Sequence, residues 1–377
     1  MYSIYRWVIG ALYTIFKRSP LEKRVAFLSR QSEMVSLDFT LLEAALRVEL
    51  PGWKFATSCY RDTGSFLSRV GGTLRQIKLV ATSRLCIVDG YTPAVSIPRL
   101  DPSTVIVQLW HALGTFKRFG WQAIDTPAGR TRAQAEGLRM HCNYSMIVAG
   151  GEGPRAAYTQ AFGYPEDKII PLGMPRMDYL LDAAAIKQYS QLAEGRVNIL
   201  FAPTFRREVG RTDVRQHLQE LADQLPPEMC NLIVSFHPFS RHGDAAVSSQ
   251  HSSSDERTPI IHIPRAKGID LLKIADYVIT DYSAIAFEAA LLHRKVVFYV
   301  PDIEAYRLSP GLNIDPEQQF PAISFRDATS LASFIRDDIR GESYADNGFW
   351  SFGDAYLAQP VGGATERLVE CSWGMVA

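Results

Sequence analysis

An excess of charge of either sign is missing from this 377-residue chain, in which forty Lys and Arg balance forty Asp and Glu. A protein that wraps a nucleic-acid backbone needs a basic excess to displace counterions, so neutrality argues against that class. It leaves room for a local basic pocket that holds a small phosphate compound. Cysteine is scarce as well. Cys59, Cys86, Cys142, Cys230 and Cys371 are five in number, scattered and never spaced C-x-x-C, so neither a zinc site nor a disulfide framework follows. No D-x-D pair or ligand cluster asks for a metal. No apolar run reaches the ~20 residues that span a bilayer. What is present is ordinary globular composition, 47% hydrophobic and 21% charged, in a chain long enough for two cores.

The first residues, MYSIYRWVIGALYTIF from Met1 to Phe16, are apolar and aromatic, and Lys17 and Arg18 follow. A secretory signal would have a basic start, a plain aliphatic run and a small-residue cleavage site. Here Arg6 interrupts the run, while Tyr2, Tyr5, Trp7 and Tyr13 suit an interface. Two readings stand: a core helix, or a helix lying on a membrane surface with Lys17, Arg18, Lys23 and Arg24 near anionic headgroups.

Beyond it, apolar runs of strand length alternate with helical spacing. Strands are expected at Arg24–Ser29, Lys54–Ser58, Arg84–Asp89, Thr104–Trp110 and Ser145–Ala149, and helices at Phe39–Val48 and Gly64–Val80. A second series starts at Asn198 and runs through strands at Leu232, Ile260, Tyr277 and Val296, with helices at Val214–Leu225, Asp270–Ala275 and Ala284–Leu292. Continuously apolar strands alternating with helices predict parallel sheets buried on both faces. The expected architecture is α/β, two doubly wound Rossmann-type domains facing across a cleft. Its divisions are an N-terminal helix at 1–24, a first domain at 25–190 and a second at 191–377.

Ligands of such sheets bind at the carboxyl ends of the strands, so polar residues directly after an apolar run are the site candidates. Four positions qualify. Trp110-His111-Ala112-Leu113-Gly114 offers an imidazole and a glycine that admits close backbone approach; Lys117, Arg118, Arg130 and Arg132 follow it. Ala202-Pro203-Thr204-Phe205-Arg206-Arg207 offers a hydroxyl and a guanidinium that can fork onto phosphate. His237-Pro238 ends a third run. The fourth, Asp281-Tyr282-Ser283 between strand and helix, presents free amides to a diphosphate; Ser283 reads equally well as the helix cap. It lacks the glycines of a dinucleotide fingerprint or a P-loop.

The block DLLKIADYVITDYSAIAFEAALLHRKVVFYVPDIEAYR, Asp270 to Arg307, resembles the signature of the CDP-glycerol glycerophosphotransferases of teichoic acid synthesis. WHALGTFK at Trp110–Lys117, GMPRMDYL at Gly173–Leu180, APTFR at Ala202–Arg206 and HP at His237–Pro238 fall in the family's order, over roughly residues 35 to 320. The resemblance implies a GT-B-like pair of domains and peripheral association with the cytoplasmic face of the membrane. It also implies transfer of glycerol or ribitol phosphate from CDP-glycerol or CDP-ribitol, with no cofactor, to a lipid-linked saccharide or polyol-phosphate acceptor. It makes His111 the base and places His237 on the donor diphosphate. Thr204, Arg206, Asp281, Ser283 and Glu288 would bind the donor, and Gly114, Lys117, Arg118 and Arg176 the acceptor phosphate. Two departures, Ala112 for the glycine of W-H-G and Ala284 for the second serine of T-D-Y-S-S, leave the donor polyol open. Primase or polymerase, and oligomeric state, stay open too. The alternatives are a nucleotide-sugar glycosyltransferase or epimerase of the same architecture, and a non-catalytic membrane-bound scaffold.

Overall fold

The apolar runs form two six-stranded sheets in which every pairing is parallel. The computed structural model describes residues 2–182, 192, 195–204, 211–235, 258, 260–263, 266–341, 344 and 348–376. Its packing divides the chain into two units.

The first unit contains strands β1 (Glu22–Ser29), β2 (Lys54–Cys59), β3 (Ser83–Val88), β4 (Val105–Gln108), β5 (Met146–Val148) and β6 (Ile169–Ile170) in the order β2-β1-β3-β4-β5-β6. α1 (Tyr2–Phe16) precedes them, α2 (Leu37–Glu49), α3 (Phe66–Thr82), α4 (Pro93–Ser96), α5 (Arg132–Gly137) and α6 (Arg155–Phe162) run between them, and α7 (Pro175–Leu181) follows β6. Side chains alternate across the pleat. Ala26 and Leu28 of β1 share a core with Ile77 and Val80 of α3 and with Ile9 and Tyr13 of α1, while Phe27 meets Phe39 of α2 at 5.2 Å. Ser36 and Ser65 cap α2 and α3 by accepting from the amides of Phe39 and Ser68.

α1 has one buried and one exposed apolar face. Ile9 and Tyr13 are buried, and the Tyr13 hydroxyl accepts from the Asp101 amide at 2.9 Å. On the opposite side Ile4, Trp7, Val8 and Ile15 are exposed, Trp7 to 73%. Lys17, one of the expected headgroup contacts, pairs with Asp101 at 3.1 Å.

The second unit starts with β7 (Val197–Phe201), α8 (Arg211–Gln224), β8 (Cys230–Val234), β9 (Ile260–His262), α9 (Gly268–Leu271) and β10 (Tyr277–Thr280). It continues with α10 (Ile285–Leu291), β11 (Lys295–Tyr299), α11 (Ile303–Leu308), α12 (Pro316–Gln319), β12 (Ser324–Phe325), α13 (Ala328–Ile339) and α14 (Phe349–Asp354). Strand order is β12-β11-β10-β7-β8-β9. Ile199, Phe201, Ile279 and Val297 pack on Leu218 and Leu221 of α8 and on Leu331 and Ile335 of α13.

Packing puts the boundary between Tyr179 and Leu180, not at 190/191, and two further segments cross it. Residues 356–377 belong with the first unit, where α15 (Ala364–Gly374) lies against α2. Asp178 supplies the cap that Gly363 cannot, taking the amides of Ala364 (3.0 Å) and Thr365 (2.7 Å) and the Thr365 hydroxyl (2.6 Å). Conversely, Thr115–Lys117 belong with the second unit, where buried Phe116 stacks on Phe287 at 5.0 Å and touches Phe298.

Candidate functional site

In each sheet the chain runs outward from its first strand, then returns to that strand's other side and runs the opposite way. Open α/β sheets bind ligands at the carboxyl ends of the strands flanking such a reversal. In the second unit those strands are β7 and β10. Their ends carry Thr204 and Asp281, which are tied together. Asp281 is buried, and its Oδ1 accepts from the Thr204 amide (2.8 Å), the Thr204 hydroxyl (2.6 Å) and the Tyr282 amide (2.6 Å). A carboxylate so engaged holds the two strand ends in one conformation. The half-buried Ser283 lies where the Ile285 amide reaches its Oγ at 3.5 Å, the long limit of a cap, and α10 rises from it. Ser235, after β8, completes the rim: a Cβ on Gly268 would sit 2.9 Å from its Oγ, so a larger residue there would turn the Ser235 hydroxyl aside. Glu288, one turn into α10, is buried, not turned to solvent.

The reversal in the first unit lies between β1 and β3, with His111 just beyond the adjacent β4. His111 is exposed, and its Nδ1 lies 2.9 Å from the backbone carbonyl of Asp89. A carbonyl only accepts, so Nδ1 carries the hydrogen and Nε2 is the basic nitrogen of the neutral ring. The turn that presents it is held firmly. Trp110 takes φ +61°, uncommon outside glycine. Buried Gln108 accepts from the Trp110 amide (3.0 Å) and donates to the Gly90 carbonyl (3.2 Å), and the Trp110 indole stacks on Phe119 at 4.7 Å. Tyr158 donates to the Ala112 carbonyl at 2.9 Å. The other histidine of this unit, His141, is buried; desolvation, then the Arg130 charge, lower its pKa to about 3, which keeps the ring neutral.

In the sequence Asp89 ends an apolar run with no partner in view. It sits 5% exposed at the end of β3. Burial pushes its pKa up to about 7, the Asp38 carboxylate adds to the rise, and Ser29 and Arg176 oppose it. Oδ1 has no hydrogen-bond partner among the described residues. Its surroundings are Ser29 from β1, Cys59 from β2, Asp38 from α2 and Arg176 from α7. The folded protein therefore keeps this proton to about pH 7, whereas an unfolded chain releases it near the ordinary carboxylate value. Stability from this group is complete in acid, falls as pH rises between the two values, and is gone above the folded one. Asp89→Asn should flatten the decline in Tm between pH 5 and pH 8 and raise Tm at pH 8. An unchanged slope in a thermal melt would contradict the burial argument.

Of the remaining expected residues, Arg176 donates Nε to Asp38 Oδ2 and its amide to Asp38 Oδ1, each at 2.9 Å. Arg118 is exposed and Gly114 buried. Lys117 packs with the second unit, where its carbonyl accepts from Asn313 at 3.1 Å, so the basic loop read from the sequence is divided between the units. Arg206 and His237 lie outside the described residues.

Residues 11–374 match the family described as CDP-glycerol:poly(glycerophosphate) glycerophosphotransferase. The chain belongs to that family. Among its relatives are two proteins of Bacillus spizizenii. The teichoic acid ribitol-phosphate primase is 28% identical, over 77% of this chain and 75% of the relative. The teichoic acid glycerol-phosphate primase is 30% identical, over 68% and 66%. The solved structure of the wall teichoic acid polymerase TagF superposes with a TM-score of 0.70 at 15% identity, covering 98% of this chain and 93% of the other. The fold is thus of the expected GT-B type, and the chain is an enzyme of the glycerophosphotransferase family. Of the described motif residues, Thr204 and Asp281 end the strands that flank the second sheet's reversal, and Trp110–Gly114 follows β4, next to β3. The residues that the sequence reading misses are Asp89 and Gln108, which precede Trp110 at the ends of β3 and β4, and Ser235 and Gly268, which follow β8 and open α9.

Proposed function

We propose that this protein transfers glycerol phosphate or ribitol phosphate from a CDP-activated donor to a hydroxyl of a cell-envelope acceptor and releases CMP. The observation that carries the reading is His111, exposed at a strand end with Nδ1 pinned to a carbonyl. Nε2 takes the proton of the acceptor hydroxyl. The freed oxygen attacks the β-phosphorus in line, the bond to the bridging oxygen breaks, and its electron pair leaves with CMP. Such transfer rests on positioning and charge stabilisation more than on covalent work by the protein. On the donor side Thr204 and Ser283 meet the diphosphate, Asp281 positions Thr204, and Glu288 reaches the ribose or polyol. Arg206 and His237 are assigned there from the motif. Arg118 meets acceptor phosphate, with Arg176 and Gly114 shaping the ground around it, and Lys117 serves the donor side.

We place the reaction at the cytoplasmic face of the membrane, where a lipid-linked acceptor would be met. None of the helices, among the described residues, is long and apolar enough to cross a bilayer. The exposed face of α1 supports peripheral attachment instead. Incubation with CDP-glycerol or CDP-ribitol and a lipid-linked disaccharide tests the reading: product mass should rise by one or more polyol phosphates, with CMP released. Release of UDP from a UDP-sugar, with CDP-polyols inert, would replace it with glycosyl transfer.

A further inference from the structure

At the opposite end of the first sheet from His111 lies a groove of about 610 Å³ that the transfer scheme does not use. It opens beside the edge strand β2, at the amino ends of β1 and β2, where Arg24 and Lys54 are register partners. Five cations line it: Arg24, Arg47, Lys54, Arg75 and Lys78. Two carboxylates answer them. Glu22 takes Arg24 (2.8 Å) and Lys54 (2.6 Å), and Glu43 takes Arg47 (2.6 Å). Arg75 donates to the Thr57 carbonyl at 2.9 Å, which neutralises nothing. The Lys78 ammonium has neither hydrogen bond nor ion pair among the described residues, its carbonyl alone accepting from Thr82. The groove keeps a positive excess in a chain whose total charge is zero.

What adjoins it is apolar. Along α3 the exposed residues Leu67, Leu74 and Lys78 recur at helical spacing, so one stripe passes from hydrocarbon into the basic groove. Phe66 and Val70 widen that stripe, and α1, packed on α3, adds its exposed Ile4, Trp7 and Val8. On the far side Trp53, a lining residue, meets the partly exposed Trp373 edge-on at 6.3 Å, next to exposed Met375. A soluble anion would need the cations alone. Cations rimmed by aromatic and aliphatic side chains suit a phosphate fixed to a hydrocarbon layer.

We propose that this groove seats the phosphate headgroup of an anionic phospholipid while the exposed α1 and α3 residues enter the interface beside it. The assignment rests on the peripheral-membrane reading above. It goes beyond that reading by locating a headgroup site distinct from the residues placed in transfer.

The test is co-sedimentation of the full chain with phosphatidylcholine vesicles, with and without phosphatidylglycerol, at fixed ionic strength. Wild type should partition more strongly onto the anionic vesicles, by about tenfold or more, the scale expected when two or more basic residues lie near the surface. Arg75→Glu with Lys78→Glu should erase that preference and leave binding to neutral vesicles and CMP release on a soluble acceptor unchanged. The milder Arg75→Gln with Lys78→Gln, at exposed positions, guards against loss of fold. Trp7→Ser with Leu67→Ser should lower binding to both vesicle types. Absence of wild-type binding to any vesicle would overturn the membrane reading and this site together. Vesicle binding that ignores the charge reversal would overturn the groove alone. A soluble glycerol-phosphate oligomer that displaces the protein from anionic vesicles at matched phosphate concentration, where inorganic phosphate does not, would reassign the groove to a phosphodiester chain.

Discussion

His111→Ala should cut CMP release about 10³-fold, within the range that general bases contribute, while CDP-glycerol still binds with near-wild-type Kd. The expectation rests on how narrowly the ring is specified. The Asp89 carbonyl at 2.9 Å selects one tautomer, and the Gln108 clip with the Trp110–Phe119 stack holds a turn whose φ of +61° would otherwise relax. The side chain is exposed, so its removal should leave Tm almost unchanged, and lost turnover would then report chemistry. Single-turnover measurement of CMP alongside calorimetric donor binding separates the two effects. Turnover within a few-fold of wild type would rule His111 out as the base.

The second large effect belongs to Asp281. Its alanine variant leaves three donors, two amides and the Thr204 hydroxyl, without the acceptor they share in a buried setting. Orphaned buried donors cost about 1–3 kcal/mol each, so a loss of ~3 kcal/mol or more in denaturant unfolding is expected once relaxation is allowed for. Donor affinity should fall with it, because Thr204 is no longer held against the end of β10. Asp281→Asn keeps an oxygen in place and should recover much of the stability, less the strengthening that a charged acceptor gives. Wild-type stability and donor affinity in the alanine variant would show that the clamp contributes nothing.

The sequence was read best where physics is local. Parallel strands showed as unbroken apolar runs, and His111, Thr204, Asp281 and Ser283 showed as polar residues directly after them. What pairs them was invisible. Thr204 and Asp281 are separated by 77 residues and meet only because β10 returns to the side of β7. Asp89 is silent in the sequence for the same reason, since one carboxylate after one strand says nothing of Ser29, Asp38 and Arg176 from other elements. Gln108 looked like part of an apolar run, and its role lies in the turn beyond. The unit boundaries failed to show because Phe116 and α15 each pack away from their chain neighbours, which composition does not encode. α1 allowed two readings because helical spacing gives it two apolar faces.

The cap that Asp178 places on α15 has a consequence for how the chain is made. Asp178 and the Ala364 amide are 186 residues apart, and every strand of the second sheet is synthesised between them. The first unit therefore leaves the ribosome without its last helix and waits, with one side of α2 uncovered, for a closure of high contact order. Refolding of the intact chain should show that closure as a slow late phase, and a nascent chain halted before residue 364 should bind chaperones through α2.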